Sequence, residues 1–303
     1  MTTSNPGLVR LHVPPFALEL SATLGGSITR FCWQRPDEPA LDLLRPAAES
    51  ALNGGDVEGT ACFPLTPFSN RLRDGRCLFR GREIRLPRNT SGPHVEHGHG
   101  WQRPWQVSEA GRNHATLRLD HQADAWPFPY EMVQRFRLEP DGLRIELRTR
   151  NTGKTAMPYG FGLHPYFPRT PGCRLEAAAT GFWETDAEVM PTRQVALPAA
   201  LGLAAGLRVD AQALDNVLTG WDGRVVIHWP EHRARLAIEA QGPLRFLVLY
   251  TPPGESYFCA EPVSNCTDAF NLANEGRSDT GMLVLDPGES VSAWLTLKPE
   301  NVR

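Results

Sequence analysis

Short runs in which apolar and polar residues alternate, cut by glycine, proline or aspartate, leave this chain little choice but β-structure. Leu143, Ile145 and Leu147 alternate with Arg144, Glu146 and Arg148, the period of a strand with one buried face. Met132, Phe136 and Leu138 share a face opposite Val133, Arg135 and Arg137. The same pattern predicts strands at Arg224–Trp229, Arg235–Glu239, Arg245–Thr251 and Val291–Leu297. Asp141-Gly142 and Asp74-Gly75 read as tight hairpin turns. Amphipathic helices are scarce. Ala196–Leu207 is rich in alanine and leucine, but Pro198, Gly202 and Gly206 interrupt it, which predicts a loop with at most a helical turn. No linker-like tract divides the sequence and no fixed repeat is present. The expectation is one all-β domain over residues 1–303, a large antiparallel β-sandwich of two sheets packed face to face.

Gross composition narrows the partners. With 41% hydrophobic and 21% charged residues the chain reads as an ordinary globular protein with a large core. A formal net charge of -3 supplies no basic field, so neither nucleic acid nor an anionic membrane is expected as partner. No apolar run approaches a membrane span, and Met1 to Gly7 lacks the basic-then-apolar layout of a signal peptide. The six cysteines form no C-x-x-C pair, the pattern of buried thiols in a reducing cytoplasm. The protein is expected to be cytoplasmic, a monomer or homodimer, with a small molecule as its partner.

Three segments carry candidate chemistry. In Tyr159-Gly160-Phe161-Gly162-Leu163-His164-Pro165-Tyr166-Phe167, an imidazole stands between small residues and aromatics, able to move a proton near neutral pH. Glu96-His97-Gly98-His99-Gly100-Trp101 offers further imidazoles. Tyr257-Phe258-Cys259-Ala260-Glu261-Pro262-Val263 places a carboxylate in apolar surroundings, where desolvation raises its pKa toward that of a useful general base. Each has a plainer reading: a loop histidine, a structural histidine, a carboxylate paired to an arginine. His97 and His99 would share one side of a strand and could hold a metal, but Gly98 and Gly100 favour a loop. His94 reads as structural. Trp101 and Trp105 fit a sugar-stacking platform or, equally, the core.

Asn70 and Arg71 precede the Asp74-Gly75 turn, and a guanidinium suits vicinal hydroxyls or a carboxylate. Seven arginines lie between Arg71 and Arg88, which raises the possibility of a phosphorylated ligand; all except Arg71 read as the wet face of a hairpin. Asp215, within Leu214-Asp215-Asn216, is a further candidate, although Asp-Asn is also turn chemistry.

Taken in order, Asn70-Arg71, His97-Gly98, Gly162-Leu163-His164-Pro165-Tyr166-Phe167, Leu214-Asp215 and Glu261-Pro262 resemble the aldose 1-epimerase (galactose mutarotase-like) family. Asn151-Thr152-Gly153 and Met157-Pro158 add to the likeness, which runs from about Leu18 to the C-terminus. The resemblance implies a β-supersandwich isomerase that needs neither metal nor organic cofactor. By position Glu261 would be the general base, His164 the general acid, and His97 the histidine that assists at the sugar's polar edge. Arg71 and Asp215 match positions that hold sugar hydroxyls, with Asn70 beside them. One departure is His97-Gly98-His99-Gly100, where typical galactose mutarotases carry His-Gly-Gly.

The chemistry so implied is interconversion of the α and β anomers of an aldose. Glu261, ionised, would take the anomeric hydroxyl proton while His164, its pKa raised by the carboxylate, protonates the ring oxygen. Competing expectations are a hexose-6-phosphate mutarotase, a non-catalytic carbohydrate-binding protein on the same scaffold, a metal enzyme built on His97 and His99, and a glycoside hydrolase or lyase on a related sandwich.

Overall fold

A computed structural model describes residues 7–302. The signal-peptide reading of the first residues therefore falls mostly outside the described region. Among the described residues, strands dominate and assemble into two large antiparallel sheets, one of eleven strands and one of nine, with three two-stranded ladders at their margins. Along the first sheet the spatial order includes Phe16–Ser21, Ser27–Trp33, Cys62–Leu65, Gly162–Pro168, Tyr257–Val263, Phe246–Tyr250 and Asp215–Thr219. The second is built around His114–His121, Tyr130–Glu139, Gly142–Asn151, Ser290–Asn301, Ala234–Gln241 and Arg224–Trp229.

The alternation seen in sequence is the reason. Leu143, Ile145 and Leu147 are buried while Arg144 and Arg148 are exposed. Across the sheet Ile145 pairs with Phe136 and with Leu295, so one apolar row runs over three strands. Inward residues of both sheets, such as Leu18, Phe31, Phe167 and Phe258 from one and Leu117, Met132, Leu147 and Leu236 from the other, belong to a single continuous core. Each such side chain contributes about 1.5–3 kcal/mol on burial. No helix is long and apolar enough to cross a membrane among the described residues. All six cysteines are buried and unpaired.

The strand expectations hold, with Arg224–Trp229 matching to the residue. Two turn expectations change. Pro140-Asp141 is the connection between Tyr130–Glu139 and Gly142–Asn151, and Gly142 opens the second strand at φ 145°, where a Cβ would lie 2.2 Å from the Leu297 carbonyl oxygen. Asp74-Gly75 is a sharp corner, not a hairpin. Both residues have positive φ, but the strands on either side part: Arg71–Leu72 pairs with Val95–Glu96, whereas Arg76–Phe79 pairs with Arg82–Arg85 around Arg80-Gly81. The segment from Ala196 holds two short helical turns, Ala199–Leu201 and Leu203–Gly206, divided by Gly202 in the left-handed region.

Candidate active site

The first sheet positions the chemistry. Gly162–Pro168 lies between Cys62–Leu65 and Tyr257–Val263. Alternation turns Leu163 and Phe167 into the core and leaves His164 and Tyr166 on the opposite face. The neighbouring strand does the same, presenting Cys259 and Glu261. The registers Gly162↔Val263 and Tyr166↔Cys259 set His164 directly across from Glu261. Their side chains meet, with His164 Nε2 3.4 Å from Glu261 Oε1. Both are buried, at 7% and 2% exposure, so this contact is largely shielded from solvent.

Over this face lies a small ladder that supplies the second wall. Arg71 pairs with Glu96 across it, which brings Asn70 and His97 side by side at its end. Asn70 and His97 both occupy the left-handed region, at φ 58° and 62°. That conformation is tolerated by Asn and uncommon for His, and each instance costs about 1–2 kcal/mol that surrounding contacts must offset. The contacts are present. The His97 backbone N–H donates to the Asn70 carbonyl (2.8 Å), and the Asn70 N–H donates to His97 Nδ1 (3.2 Å). Because Nδ1 accepts, a neutral His97 carries its proton on Nε2. Gly98 must be glycine: at φ 67° its added Cβ would sit 2.2 Å from the Thr66 carbonyl oxygen.

Asn70, Arg71, His97, His164, Asp215 and Glu261 all line one cavity of about 220 Å³. Drug-sized ligands occupy pockets of about 300–1,000 Å³, so this one suits a single small polar molecule. Arg71 donates to Asp215 Oδ2 at 3.2 Å and lies 3.5 Å from Glu96 Oε1, which fixes its guanidinium between two carboxylates. Asn70 Oδ1 accepts from the Arg71 backbone N–H at 2.8 Å. A larger cavity, about 660 Å³, opens beside His114, Arg135, Arg144 and Trp294; it holds no comparable convergence of acid, base and orienting groups.

Trp101 is not among the residues lining the cavity. It is buried behind Phe63, stacked at 5.3 Å, with its indole N–H donating to the Glu96 carbonyl. Its apolar area is better used in the core than on a wet rim, and this corrects the stacking expectation. The His97–His99 metal reading also changes. His99 turns away from the cavity to stack on His121 at 4.3 Å and to bond the Tyr130 hydroxyl through Nε2 at 2.9 Å. His94 is buried and accepts from the Asp74 N–H. The donor atoms that do cluster belong to His164, Cys259 and Glu261, all within 4.8 Å of one another.

A profile of the aldose 1-epimerase family matches residues 20–298. The chain belongs to the aldose 1-epimerase family. It is 30% identical over 293 residues to the uncharacterized Escherichia coli K12 protein YphB, covering 94% of this chain and 96% of that one. A solved Escherichia coli K12 structure, named as a candidate aldose 1-epimerase, superposes with a TM-score of 0.87 at 28% identity, over 97% of this chain and 99% of that one. A galactose mutarotase-like protein from Clostridium acetobutylicum reaches 0.80 at 19% identity, over 97% and 95% of the two chains, which is a likeness of fold.

Electrostatics in the candidate site of this family member departs from the simple expectation. Burial, more than Asp215 and Glu96, pushes the Glu261 carboxyl well above the carboxylate range, with Arg71 pulling the other way. Burial likewise lowers His164 to about 3, and drives His97 well below its ordinary value, helped by His164 and Arg71. The expected lift of His164 by the carboxylate is thus reversed: desolvation lowers it, a backbone hydrogen bond opposes that, and Arg45 and Arg71 lower it further. Both directions favour the neutral form of the pair, which holds the same number of protons as the ion pair would. Glu261 Oε2 and His164 Nδ1 are buried with no hydrogen-bond partner among the described residues. Two orphaned polar atoms in one contact pair are costly unless a ligand satisfies them.

Several lining residues escaped the reading of the sequence: Glu58, Phe63, Val248, Tyr250 and Tyr257. Tyr257 was within reach, since Tyr257, Cys259 and Glu261 keep a period of two. Phe63 stacks on His164 at 4.6 Å, but only the pairing His164↔Phe63 reveals that. Glu58 sits in a loop with no periodic signal.

Proposed function

We propose that this family member is itself an aldose 1-epimerase, working as one domain that interconverts the α and β anomers of a monosaccharide by general acid/base ring opening and closure. The observation that carries this reading is the 3.4 Å contact between His164 Nε2 and Glu261 Oε1 on the wall of a sugar-sized polar cavity. Glu261 is the base and His164 the acid. Before substrate enters, burial favours the neutral form of the pair. A hydroxyl donating to Glu261 Oε2 stabilises the carboxylate and moves the shared proton to His164.

The step then balances. The anomeric O1–H proton passes to Glu261 as the C1–O5 bond breaks and C1=O1 forms, and O5 takes the proton from His164. The open aldehyde turns about C1–C2 and closes with the roles exchanged. His97, neutral and carrying its proton on Nε2, donates to a sugar oxygen, while Arg71 and Asp215 hold hydroxyls with Asn70 fixing the arginine's backbone. Positioned acid/base groups contribute about 10²–10⁴-fold. A binding protein on the same scaffold would need the hydroxyl-holding groups but not the buried acid/base pair, and their contact favours an enzyme.

The test is exchange between pure anomers of several hexoses and pentoses, followed by polarimetry or NMR with metal-free protein. Acceleration over the uncatalysed rate for at least one sugar, insensitive to chelator, is the expected result. No acceleration for any, with binding retained, would show a binding protein. Monosaccharide release from a disaccharide would show a hydrolase.

A further inference from the structure

The charge of the cavity wall carries an inference about which sugars it takes; it rests on the reading of the cavity as a sugar site. Apart from the Glu261–His164 pair, the charged lining residues are Glu58, Glu96, Asp215 and Arg71. Arg71 is already engaged by both Glu96 and Asp215. Glu58 differs from those two. It is an exposed residue that lines the cavity, and among the described residues its carboxylate has no ion-pair partner and accepts no hydrogen bond. A neighbouring guanidinium is spent elsewhere: Arg45 donates to the backbone carbonyls of Glu58 and Thr60 and lies over the rings of Tyr166 and Tyr257. Partial desolvation, and then Asp56 and Glu96, raise the Glu58 pKa.

The arginine-rich stretch that suggested a phosphate ligand does not reach this wall. Arg73 pairs with Asp268, Arg80 lies over Phe79, Arg82 lies over Phe128 and Arg85 pairs with Glu83. Only Arg71 of that group lines the cavity. An incoming hydroxyl can donate to any of the three carboxylates. An incoming phosphate or carboxylate finds negative charge with no unengaged cation to meet it, and a like charge brought beside these carboxylates is disfavoured, most at low ionic strength.

We propose that Glu58 is the residue that fixes the charge class of the substrate: uncharged aldoses are accepted, and sugars bearing a phosphate or carboxylate are turned away.

The experiment compares a hexose with its 6-phosphate, by two-dimensional exchange NMR for turnover and saturation-transfer NMR for binding, at low ionic strength. For wild-type protein, kcat/KM for the 6-phosphate is expected to fall below that for the hexose by about tenfold or more, a gap that narrows in salt. Glu58→Gln should raise the 6-phosphate/hexose ratio by about tenfold and Glu58→Lys by more, whatever each does to absolute rate. Asp56→Asn removes the same charge two residues away, outside the lining, and should move the ratio by less than about twofold. Equal wild-type turnover of the two sugars would overturn the proposal, and so would Glu58 variants that leave the ratio unchanged. If neither sugar is turned over, the enzymatic reading fails by itself, and the same ratio of binding affinities decides the role of Glu58. Absence of binding by both sugars overturns it as well. Circular dichroism confirms folding, and should one Glu58 variant misfold, the other supplies the ratio.

Discussion

His97 and His99 are separated by a single glycine, yet one ring joins the His164–Glu261 cavity and the other joins a ring cluster with His121 and Tyr130. Had the segment been a strand, both would face one way and a metal site would be natural. The backbone decides otherwise. His97 and Gly98 both adopt positive φ, and the Thr66 carbonyl accepts from the N–H groups of His99 and Gly100. The chain therefore turns between the two rings. Both are only partly exposed, and desolvation depresses both pKa values. What separates them is partnership: His97 looks toward His164 across 5.2 Å between ring centres, whereas His99 Nε2 is satisfied by a tyrosine.

If that contrast is functional, exchanging the two histidines separately breaks it cleanly. His97→Asn removes a donor aimed at the sugar and should lower kcat/KM by about 10²-fold in anomer-exchange assays. His99→Asn should change it by less than about threefold while lowering Tm, since its loss takes from Tyr130 a part-buried hydrogen bond worth about 0.5–1.5 kcal/mol. Equal activity losses from the two would erase the distinction. Gly98→Ala attacks the turn itself. With a Cβ aimed at the Thr66 backbone and φ at 67°, it should destabilise by about 2–4 kcal/mol in denaturant melts and reduce activity with it.

A smaller effect sharpens the interior half of the comparison. His99 has its pKa lowered to about 3 against an ordinary 6.5. A depressed histidine means the unfolded chain binds the proton first. Its contribution to stability is complete above pH 6.5 and is lost as pH falls from there toward 3. His99→Phe should flatten the pH dependence of unfolding free energy in that window by up to about 1.4 kcal/mol per pH unit, the value of one proton. Smaller again is Trp101→Phe, which forfeits the bond to Glu96 but keeps the stack on Phe63. It should cost about 0.5–1.5 kcal/mol of stability and leave activity within about threefold, because the indole stands behind the wall.

The architecture was largely legible because period-two patterning carries burial directly. Leu143–Leu147 shows its buried face without any knowledge of its neighbours. The residues proposed as acid and base stood in short motifs in a fixed order, which resemble those of a family. What the sequence hid has physical causes. Trp101 is as plausible on a rim as in a core until its neighbours are known. Asp74-Gly75 has hairpin chemistry, but the strands beside it choose other partners. Glu58 lies on a loop whose position depends on distant pairing. The sign of the His164 shift was misread because a nearby carboxylate is visible in sequence logic and the depth of burial is not.

The central claim is that Glu261 and His164 act as one unit sharing one proton. Exchange NMR on Glu261→Gln, His164→Asn and the double variant, with sugar affinity measured alongside, tests it most directly. The account predicts that each single variant loses about 10²–10⁴-fold in turnover with affinity little changed, and that the double variant is scarcely worse than either. Losses that multiply in the double variant, or near-normal anomer exchange in either single one, would contradict it.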